Sequence, residues 1–236
     1  MKDLIGKAVY DEFTGVRTAP VMAETTISEA DEFPVSYMFR DYDEMPAIEQ
    51  KALDLCRGNV FDVGCGAGSH ALWLQDQGLH VTAIDISPSA VRVANERGVL
   101  KTVVGDFMHC KSDRYDTILM LMNGTGLFGA LNNVRSALQH LASLLNPGGQ
   151  ILIDSSDIIY MYDEDDDGGK WVPADRYYGE LEFTVHYEGE SESFPWLYID
   201  YPRLKELAGE IGLDCEMVYE GDHYDYLARI TKKVDR

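Results

Sequence analysis

The sequence of 236 residues has few cysteines and few basic residues. Its four cysteines are scattered, and no two of them form a Cys-x-x-Cys pair. Such spacing gives no disulfide framework and is typical of reduced thiols in the cytoplasm. Lysine and arginine together number 20 against 41 acidic residues, for a formal net charge of −21. Because phosphate groups are bound by clustered basic side chains, we expect neither nucleic acid nor an anionic membrane as a partner.

Long apolar runs are missing as well. No stretch approaches the ~20 apolar residues of a membrane-spanning helix. Residues 1–13 lack the apolar core of a signal peptide, so we expect a cytoplasmic protein. The charge is uneven: residues 151–236 carry 8 basic and 22 acidic side chains (−14), and residues 1–150 carry 12 and 19 (−7). The length suffices for one α/β domain with a sizeable core.

The order of predicted elements is that of a doubly wound α/β protein. Short apolar runs alternate with helical periodicity between residues 46 and 155. The predicted strands of this part are 60–63, 80–84, 100–104, 117–122 and 150–153. Further on, strict alternation over 179–188 predicts a half-exposed strand. Segments 215–219 and 224–230 predict a hairpin that gives the sheet an antiparallel edge.

Two regions depart from this pattern. Residues 1–45 hold too many aromatic rings for a disordered tail, so we predict a cap or lid segment of short helices or loop. Residues 46–236 are predicted to be a single domain with an acidic and aromatic insertion at about 155–200. Within it, residues 163–169 match the first half of a calcium loop, but Ala174 stands where the bidentate glutamate belongs. We therefore predict a solvated charge run and no metal site.

The most informative stretch is Val-Phe-Asp-Val-Gly-Cys-Gly-Ala-Gly, residues 60–68. A predicted strand there enters a Gly-x-Gly-x-Gly turn that leads into a helix, so backbone N–H groups and a helix N-terminus are open to a ligand. The dinucleotide fingerprint Gly-x-Gly-x-x-Gly requires a third glycine at position 69, where Ser69 stands. The spacing, with Asp62 two residues before the first glycine, instead resembles the first motif of the class I S-adenosylmethionine (SAM)-dependent methyltransferases.

Further motifs resemble that family in the same order. Asp85 ends the second predicted strand, residues 105–107 (Gly-Asp-Phe) follow the third, and residues 115–118 (Tyr-Asp-Thr-Ile) open the fourth. The turn at 146–149 resembles the family's Pro-Gly-Gly turn, and the resemblance covers roughly residues 45–155. It implies the class I methyltransferase fold, a mostly parallel Rossmann-like seven-stranded sheet with an antiparallel C-terminal strand. It also implies SAM as the cofactor and S-adenosyl-L-homocysteine as its product.

The resemblance also assigns cofactor-binding roles. Asp85 would hold the ribose hydroxyls, since two vicinal donors fit two carboxylate oxygens; a helix-capping role stays open. Asp106 would accept from the adenine amino group or serve only as a turn residue. Arg40 would bind the cofactor carboxylate or pair with Asp41. Asp62 would support the turn or receive the ammonium group through water. The full set is Arg40, Asp62, Gly64, Cys65, Gly66, Gly68, Asp85, Ile86, Asp106, Phe107, Leu121 and Asn123.

The methyl acceptor is less defined. Transfer from a sulfonium needs little acid–base help, because the thioether leaves neutral, so we name no catalytic residue. The segments after the fourth and fifth strands are loosely similar to glycine N-methyltransferases, but Ser156 or its neighbour stands where those enzymes hold a substrate carboxylate with arginine. This departure and the acidic C-terminal half favour a neutral or cationic small molecule, methylated on nitrogen or oxygen.

Several side chains near this region have two interpretations. His186 and His223 are predicted to lie exposed or hydrogen-bonded in edge strands rather than to act as bases. The aromatic residues of the insertion line a pocket or serve packing alone. They are Tyr160, Tyr162, Trp171, Tyr177, Trp196 and Tyr198.

Two other functions fit parts of the sequence. An NAD(P)-dependent oxidoreductase shares the strand–glycine–acid layout, although Ser69 at the position of the third glycine counts against it. A protein that binds SAM and transfers nothing would share every motif. Rings packed closely on the acceptor side, with no pocket beside the methyl group, would favour that alternative. The sequence does not indicate an oligomeric state.

Overall fold

The computed structural model describes residues 2–111 and 113–233. These residues form a seven-stranded sheet flanked by helices and a separate four-stranded antiparallel sheet. The helices are α1 (Leu4–Thr14), α2 (Ala47–Leu55), α3 (Ser69–Asp76), α4 (Pro88–Glu96), α5 (Val134–Ser143) and α6 (Tyr201–Glu210). The strands are β1 (Val21–Thr25), β2 (Ser28–Phe33), β3 (Asn59–Val63), β4 (His80–Asp85), β5 (Thr102–Val104), β6 (Tyr115–Met120), β7 (Leu145–Ser156), β8 (Glu180–Tyr187), β9 (Glu190–Leu197), β10 (Leu213–Glu220) and β11 (Asp225–Lys232).

The large sheet has the strand order β10-β11-β7-β6-β3-β4-β5. Strands β7, β6, β3, β4 and β5 are parallel, and β11 is antiparallel to both of its neighbours. The predicted seven-stranded fold with an antiparallel C-terminal strand is therefore confirmed. The expectation that the hairpin gives the sheet an antiparallel edge is confirmed as well, because β10 and β11 are the two outermost strands on that side and β10 is the edge strand. Leu227 and Ala228 of β11 enter the cores on opposite faces of the sheet and are fully buried, so both faces of this strand are covered.

A core lies on each face of this sheet, because side chains along a strand point alternately to opposite faces. Ile118 and Met120 of β6 enter the core beneath α5 and α6. Leu119, between them, enters the core beneath α2 and α3. All three are fully buried, which confirms the prediction of a strand covered on both faces.

The second sheet has the order β2-β1-β8-β9 and joins two distant parts of the chain. Met22 of β1 pairs with His186 of β8, so the N-terminal hairpin and the insertion form one layer. The alternation predicted for residues 179–188 is confirmed, since Val185 and Tyr187 are buried while His186 is not. The hairpin β1–β2 was not predicted; only Val21 of its two strands is fully buried, and the apolar pattern is weak.

The placement of the two histidines differs from the prediction. His186 lies on β8, which has β1 on one side and β9 on the other, and it hydrogen-bonds to Ser191 and Glu24. His223 lies in the turn between β10 and β11. Neither histidine is in an edge strand: β8 is an inner strand because the N-terminal hairpin pairs with it, and His223 lies in a turn. None of the helices described is long and apolar enough to cross a membrane.

Candidate active site

The glycine turn after β3 has a backbone that favours glycine at three positions. Gly64, Gly66 and Gly68 have φ angles of 79°, 50° and 83°, in the left-handed region. The amides of Gly64 and Cys65 both donate to the carbonyl of Ile84, at 2.8 and 3.1 Å, which ties the turn to β4. A Cβ on Gly68 would lie 2.7 Å from the Val99 side chain, so the third glycine allows α3 to pack closely.

Asp85, at the end of β4, faces this turn. One carboxylate oxygen accepts from the Gly66 amide at 2.9 Å, and the other accepts from the Ser87 amide at 2.9 Å. Burial raises the pKa of Asp85, and these two hydrogen bonds oppose the rise. Helix α4 is capped by the Ser87 hydroxyl, which accepts from the Ala90 amide at 2.9 Å. The capping role considered for Asp85 thus belongs to Ser87.

A cavity of about 470 Å³ lies between the ends of β3, β4 and β6 and the second sheet. Most of its wall is apolar or aromatic, and the sequence prediction identified seven of the lining residues. These seven are Gly64, Cys65, Gly66, Asp85, Ile86, Leu121 and Asn123. Five other predicted cofactor residues lie outside the lining: Arg40, Asp62, Gly68, Asp106 and Phe107.

Two of these outer residues follow β5. One Asp106 carboxylate oxygen accepts from the Met108 amide at 2.9 Å and so closes a short turn. Phe107 is 8% exposed and packs against Phe128 in the core. The hydrogen bond gives Asp106 the turn role that was left open, while its predicted contact with adenine stays a prediction.

Arg40 belongs to a buried charged cluster. Its guanidinium binds one oxygen of Glu49 at 2.8 Å, and His70 Nε2 lies 2.8 Å from the other oxygen. Arg40 therefore pairs with Glu49 and not with Asp41. Burial tends to raise the pKa of Glu49, but His70 and Arg40 outweigh it and the net pKa is lowered. Burial tends to lower the pKa of His70, but Glu49 and Asp62 outweigh it and the net pKa is raised.

Glu49 and His70 line the cavity, and the sequence prediction missed both. A signal was present in each case. Glu49 is an acid beside Ile48 on the apolar side of α2, and His70 directly follows the glycine turn. Buried charges are retained only when they are paired, so an acid in an apolar helix face indicates a nearby cation.

Asp62 lies beneath the glycine turn and is 2% exposed. Among the residues described, its Oδ2 is the only buried side-chain oxygen or nitrogen without a hydrogen-bond partner. Burial raises the pKa of Asp62 to about 6, and the nearby His70 opposes the rise. A buried carboxylate oxygen in this state is a site that a cation or a water molecule would satisfy.

The end of β6 has an unusual backbone. Met122 and Asn123 have φ angles of 63° and 62°, which side chains other than glycine seldom adopt. The Asp154 carboxylate holds this turn by accepting from the amides of Asn123 at 3.1 Å and Gly124 at 2.7 Å. The Asn123 side chain donates to the Leu197 carbonyl at 3.2 Å, so it fastens β9 to the large sheet.

An aromatic wall covers the cavity from the side of the second sheet. It consists of Phe183, Phe194, Trp196 and Tyr198. The last three alternate along β9 and the residue beyond it, so they share one face. Of the insertion's aromatic residues, Trp196 and Tyr198 therefore line the cavity. The other four, Tyr160, Tyr162, Trp171 and Tyr177, do not.

Comparison with known proteins gives the family. A family model described as a methyltransferase domain matches residues 36–214. A SAM-dependent methyltransferase from Bacteroides fragilis, solved in complex with S-adenosyl-L-homocysteine, is 41% identical and has a TM-score of 0.91. The match covers 99% of this chain and 96% of that one. The chain belongs to the class I SAM-dependent methyltransferases.

Other relatives of this methyltransferase are more distant. An uncharacterised methyltransferase of Staphylococcus carnosus is 27% identical over 221 residues, which are 91% of this chain and 95% of the relative. A ubiquinone biosynthesis O-methyltransferase of Xanthomonas oryzae is 32% identical over 114 residues, 44% of this chain. That match spans 45% of the relative, about half of its length.

SAM is the cofactor of this methyltransferase, and the oxidoreductase alternative is set aside. Two observations show that the residues present fit the group. Gly64 and Gly66 bring bare backbone to the cavity, where a methionine chain can approach closely. The unpartnered Oδ2 of Asp62 lies under the same turn, where a cation such as an ammonium group would satisfy it.

Proposed function

We propose that this methyltransferase transfers the methyl group of SAM to a nitrogen or oxygen of a small molecule held between the two sheets. The cavity carries the proposal, because it runs continuously from Asp85 past Gly64 to Gly126 and Trp196. Its volume of about 470 Å³ lies in the range of small-molecule sites. The net charge of −21 disfavours a nucleic-acid acceptor.

Within this proposal the cofactor lies along the ends of three strands. Asp85 receives the ribose hydroxyls, and Ile86, Asp106 and Phe107 lie toward the adenine. The methionine portion lies over Gly64 to Gly66, with Gly68 setting the packing of the turn. The Leu121 carbonyl takes the ammonium group, and Asp62 supports the turn or receives the ammonium group through water. These placements are supported by the two Asp85 hydrogen bonds, which bring its carboxylate to the glycine turn.

When bound, SAM supplies an electrophilic methyl group on a sulfonium. The chain's own residues bind, orient and exclude water. The paired Arg40, Glu49 and His70 keep the floor of the cavity rigid, since each charge has a partner at 2.8 Å. Holding the acceptor and the methyl carbon in line lowers the barrier by proximity and needs no further catalytic side chain.

A protein that only binds SAM is the second candidate, and the acceptor side of the cavity disfavours it. The rings there do not fill the space beside the glycine turn, because the cavity continues to Asn123 and Gly126. We further propose that the enzyme works in the cytoplasm. The cysteines Cys56, Cys65, Cys110 and Cys215 are all unbridged, as in a reducing compartment.

The acceptor class is tested with a cell lysate divided into a small-molecule filtrate and a macromolecular retentate. Each fraction is incubated with the enzyme and methyl-labelled SAM, and the label on each fraction is counted. We expect transfer to the filtrate. Transfer to the retentate alone would contradict a small-molecule acceptor, and binding of S-adenosyl-L-homocysteine without any transfer would favour the binding module.

The ribose assignment is tested by Asp85→Ala. Loss of two charge-assisted hydrogen bonds is expected to weaken binding of S-adenosyl-L-homocysteine at least tenfold, or ~1.4 kcal/mol, by calorimetry. Asp113→Ala is the matched control, because Asp113 pairs with Lys101 on the surface and lies outside the cavity. Unchanged affinity in Asp85→Ala, with the fold intact by thermal unfolding, would show that the assignment is wrong.

A further inference from the structure

We infer that the acceptor is an apolar, ring-bearing amine, bound against the aromatic wall at the β6 end of the cavity and methylated on nitrogen. The inference deepens the proposed function and rests on it. It stands on three observations: the position of the wall, the charges of the lining, and the lack of a free base among the described residues at this end.

The strand order fixes which end of the cavity is left for the acceptor. Strand β3 lies between β4 and β6. With the ribose on Asp85 at the end of β4 and the methionine chain over Gly64 after β3, the space over β6 lies beyond the methyl group. Trp196 closes this space and lies so near Gly126 that a Cβ there would be 2.1 Å from its ring.

The wall that leads to this end is a connected set of rings, from Phe183 and Phe194 beside the core of α1 and α4 to Trp196 beside Gly126. The ring centroid of Phe194 lies 5.5 Å from that of Phe183 and 5.9 Å from that of Trp196. The centroids of Phe183 and Trp196 are 6.2 Å apart. Aromatic faces pack against apolar rings and attract a cation, and the attraction grows when water is excluded. The wall therefore favours a ligand that combines a ring with positive charge.

The charges of the lining point the same way. Its acidic side chains are Asp3, Glu49, Asp85 and Glu192, its imidazole is that of His70, and within the described chain neither lysine nor arginine lines the cavity. An anionic acceptor would lose its hydration without gaining a partner, which is costly. Two guanidinium groups lie near the cavity: that of Arg40 is paired with Glu49 at 2.8 Å, and that of Arg97 donates to the Ala67 carbonyl at 2.7 Å.

An oxygen acceptor would have to lose a proton, and the groups at this end are poorly suited to take it. His70 Nε2 is engaged by a Glu49 carboxylate oxygen at 2.8 Å and is not free to take it. Both carboxylate oxygens of Asp154 accept hydrogen bonds from the amides of Asn123 and Gly124, and Asp154 lies outside the cavity lining. An amine needs no such base in the transfer step, because its ammonium form first loses a proton to solvent and the free amine then attacks with its lone pair.

The step balances without any other reactant. The nitrogen lone pair forms the new N–C bond while the C–S bond breaks, and the electrons of that bond remain on sulfur. The positive charge moves from sulfur to nitrogen, toward Trp196 and Tyr198. The product is a methylated ammonium ion. The rings and the acidic lining stabilise this ion more than a purely aliphatic pocket would.

The test uses three probes that share a phenyl ring and a two-carbon linker: phenethylamine, phenethyl alcohol and 3-phenylpropionate. Their affinities for the protein saturated with S-adenosyl-L-homocysteine are measured by calorimetry. We expect the amine to bind at least tenfold more tightly than the carboxylate, with the alcohol between them. Equal or tighter binding of the carboxylate, or no binding of the amine, would overturn the inference.

Variants locate the amine. Trp196→Leu is expected to weaken phenethylamine binding about fivefold, which is within the range of a cation–π contact, and to leave S-adenosyl-L-homocysteine affinity within about twofold. In Trp196→Phe, which keeps a ring, the affinity for phenethylamine should lie between those of the wild type and Trp196→Leu. Trp171→Leu is the control, because Trp171 is 72% exposed and outside the cavity. Equal effects at Trp171 and Trp196 would overturn the inference, whereas wild-type protein that fails to bind S-adenosyl-L-homocysteine would overturn the cofactor placement instead.

Discussion

The two ends of the cavity are built from different kinds of contact. At the cofactor end, the Gly66 amide and the Asp85 carboxylate are 19 residues apart in the chain. At the acceptor end, the Asn123 side chain and the Leu197 carbonyl are 74 residues apart, and β1 pairs with β8 across more than half of the sequence. The cofactor end is thus a local motif, while the acceptor end exists only after two distant hairpins have joined.

This difference separates two tasks. A fixed cofactor can be held by a short motif whose backbone geometry is set by a few glycines. The acceptor end depends on side chains supplied by β8 and β9, which can vary without disturbing the glycine turn. We therefore expect changes at the turn to affect folding and cofactor binding, and changes at the wall to affect the acceptor alone.

The largest effect is expected at the glycine turn. Gly68→Ala combines a left-handed φ of 83° with a Cβ 2.7 Å from Val99, and we expect a loss of about 3 kcal/mol in the free energy of unfolding. Gly78→Ala is the control, since its φ is 81° but nothing lies within 4 Å of the new Cβ. It should cost only about 1 kcal/mol. Equal losses in chemical denaturation would show that packing at Gly68 is unimportant.

A second effect concerns Asp62 and pH. Burial raises its pKa from 3.8 to about 6, so the folded protein holds the proton more tightly than the unfolded chain. This group's contribution to stability is therefore lost as pH rises toward 6 and stays lost above it. We measure how far the free energy of unfolding falls between about pH 4.5 and about pH 7 in the wild type and in Asp62→Asn. The fall is expected to be smaller in Asp62→Asn by about 2 kcal/mol.

The same variant sharpens the assignment of the ammonium group. A cation beside Asp62 favours the ionised carboxylate, so affinity for S-adenosyl-L-homocysteine should rise as pH rises through 6. Asp62→Asn should remove this rise, which calorimetry at several pH values measures. A rise of the same size in the variant would place the ammonium elsewhere.

At the acceptor end, Gly126→Ala should displace Trp196, because the new Cβ would lie 2.1 Å from its ring. We expect the acceptor KM to rise about tenfold while S-adenosyl-L-homocysteine affinity changes less than about twofold. Gly209→Ala in α6 is the control, since nothing lies within 4 Å of its Cβ. A change in cofactor affinity equal to the change in KM would break the separation between the two ends.

The smallest effect is expected at His186. It bonds to Ser191 and Glu24, its side chain is 38% exposed, and it lies outside the cavity. Surface contacts of this kind contribute little, so His186→Ala should change the unfolding free energy by less than about 0.5 kcal/mol. Its kcat should stay near that of the wild type, and a large fall would mean that this histidine takes part in the reaction.

Much of the cofactor end was predictable from local patterns. The glycine spacing from Gly64 to Gly68 and the position of Asp85 at a strand end were predictable because both involve residues close together in the chain. Sequence reasoning missed Glu49 and His70, although each left a trace beside an apolar helix face or the glycine turn. It could not decide the partner of Arg40, because Glu49 reaches it only through the fold.

By itself the sequence determined the doubly wound sheet, its glycine turn and its acid at the end of β4, while the cofactor class came from the resemblance of these motifs to a known family. These depend on side-chain period and on backbone conformations that few residues adopt, and both are local properties. The tertiary structure alone decided that β11 lies inside the sheet, that β1 joins β8, and that Trp196 faces Gly126. Strand pairing across long chain separations leaves no periodic signal, so the acceptor pocket appears only when the two sheets meet.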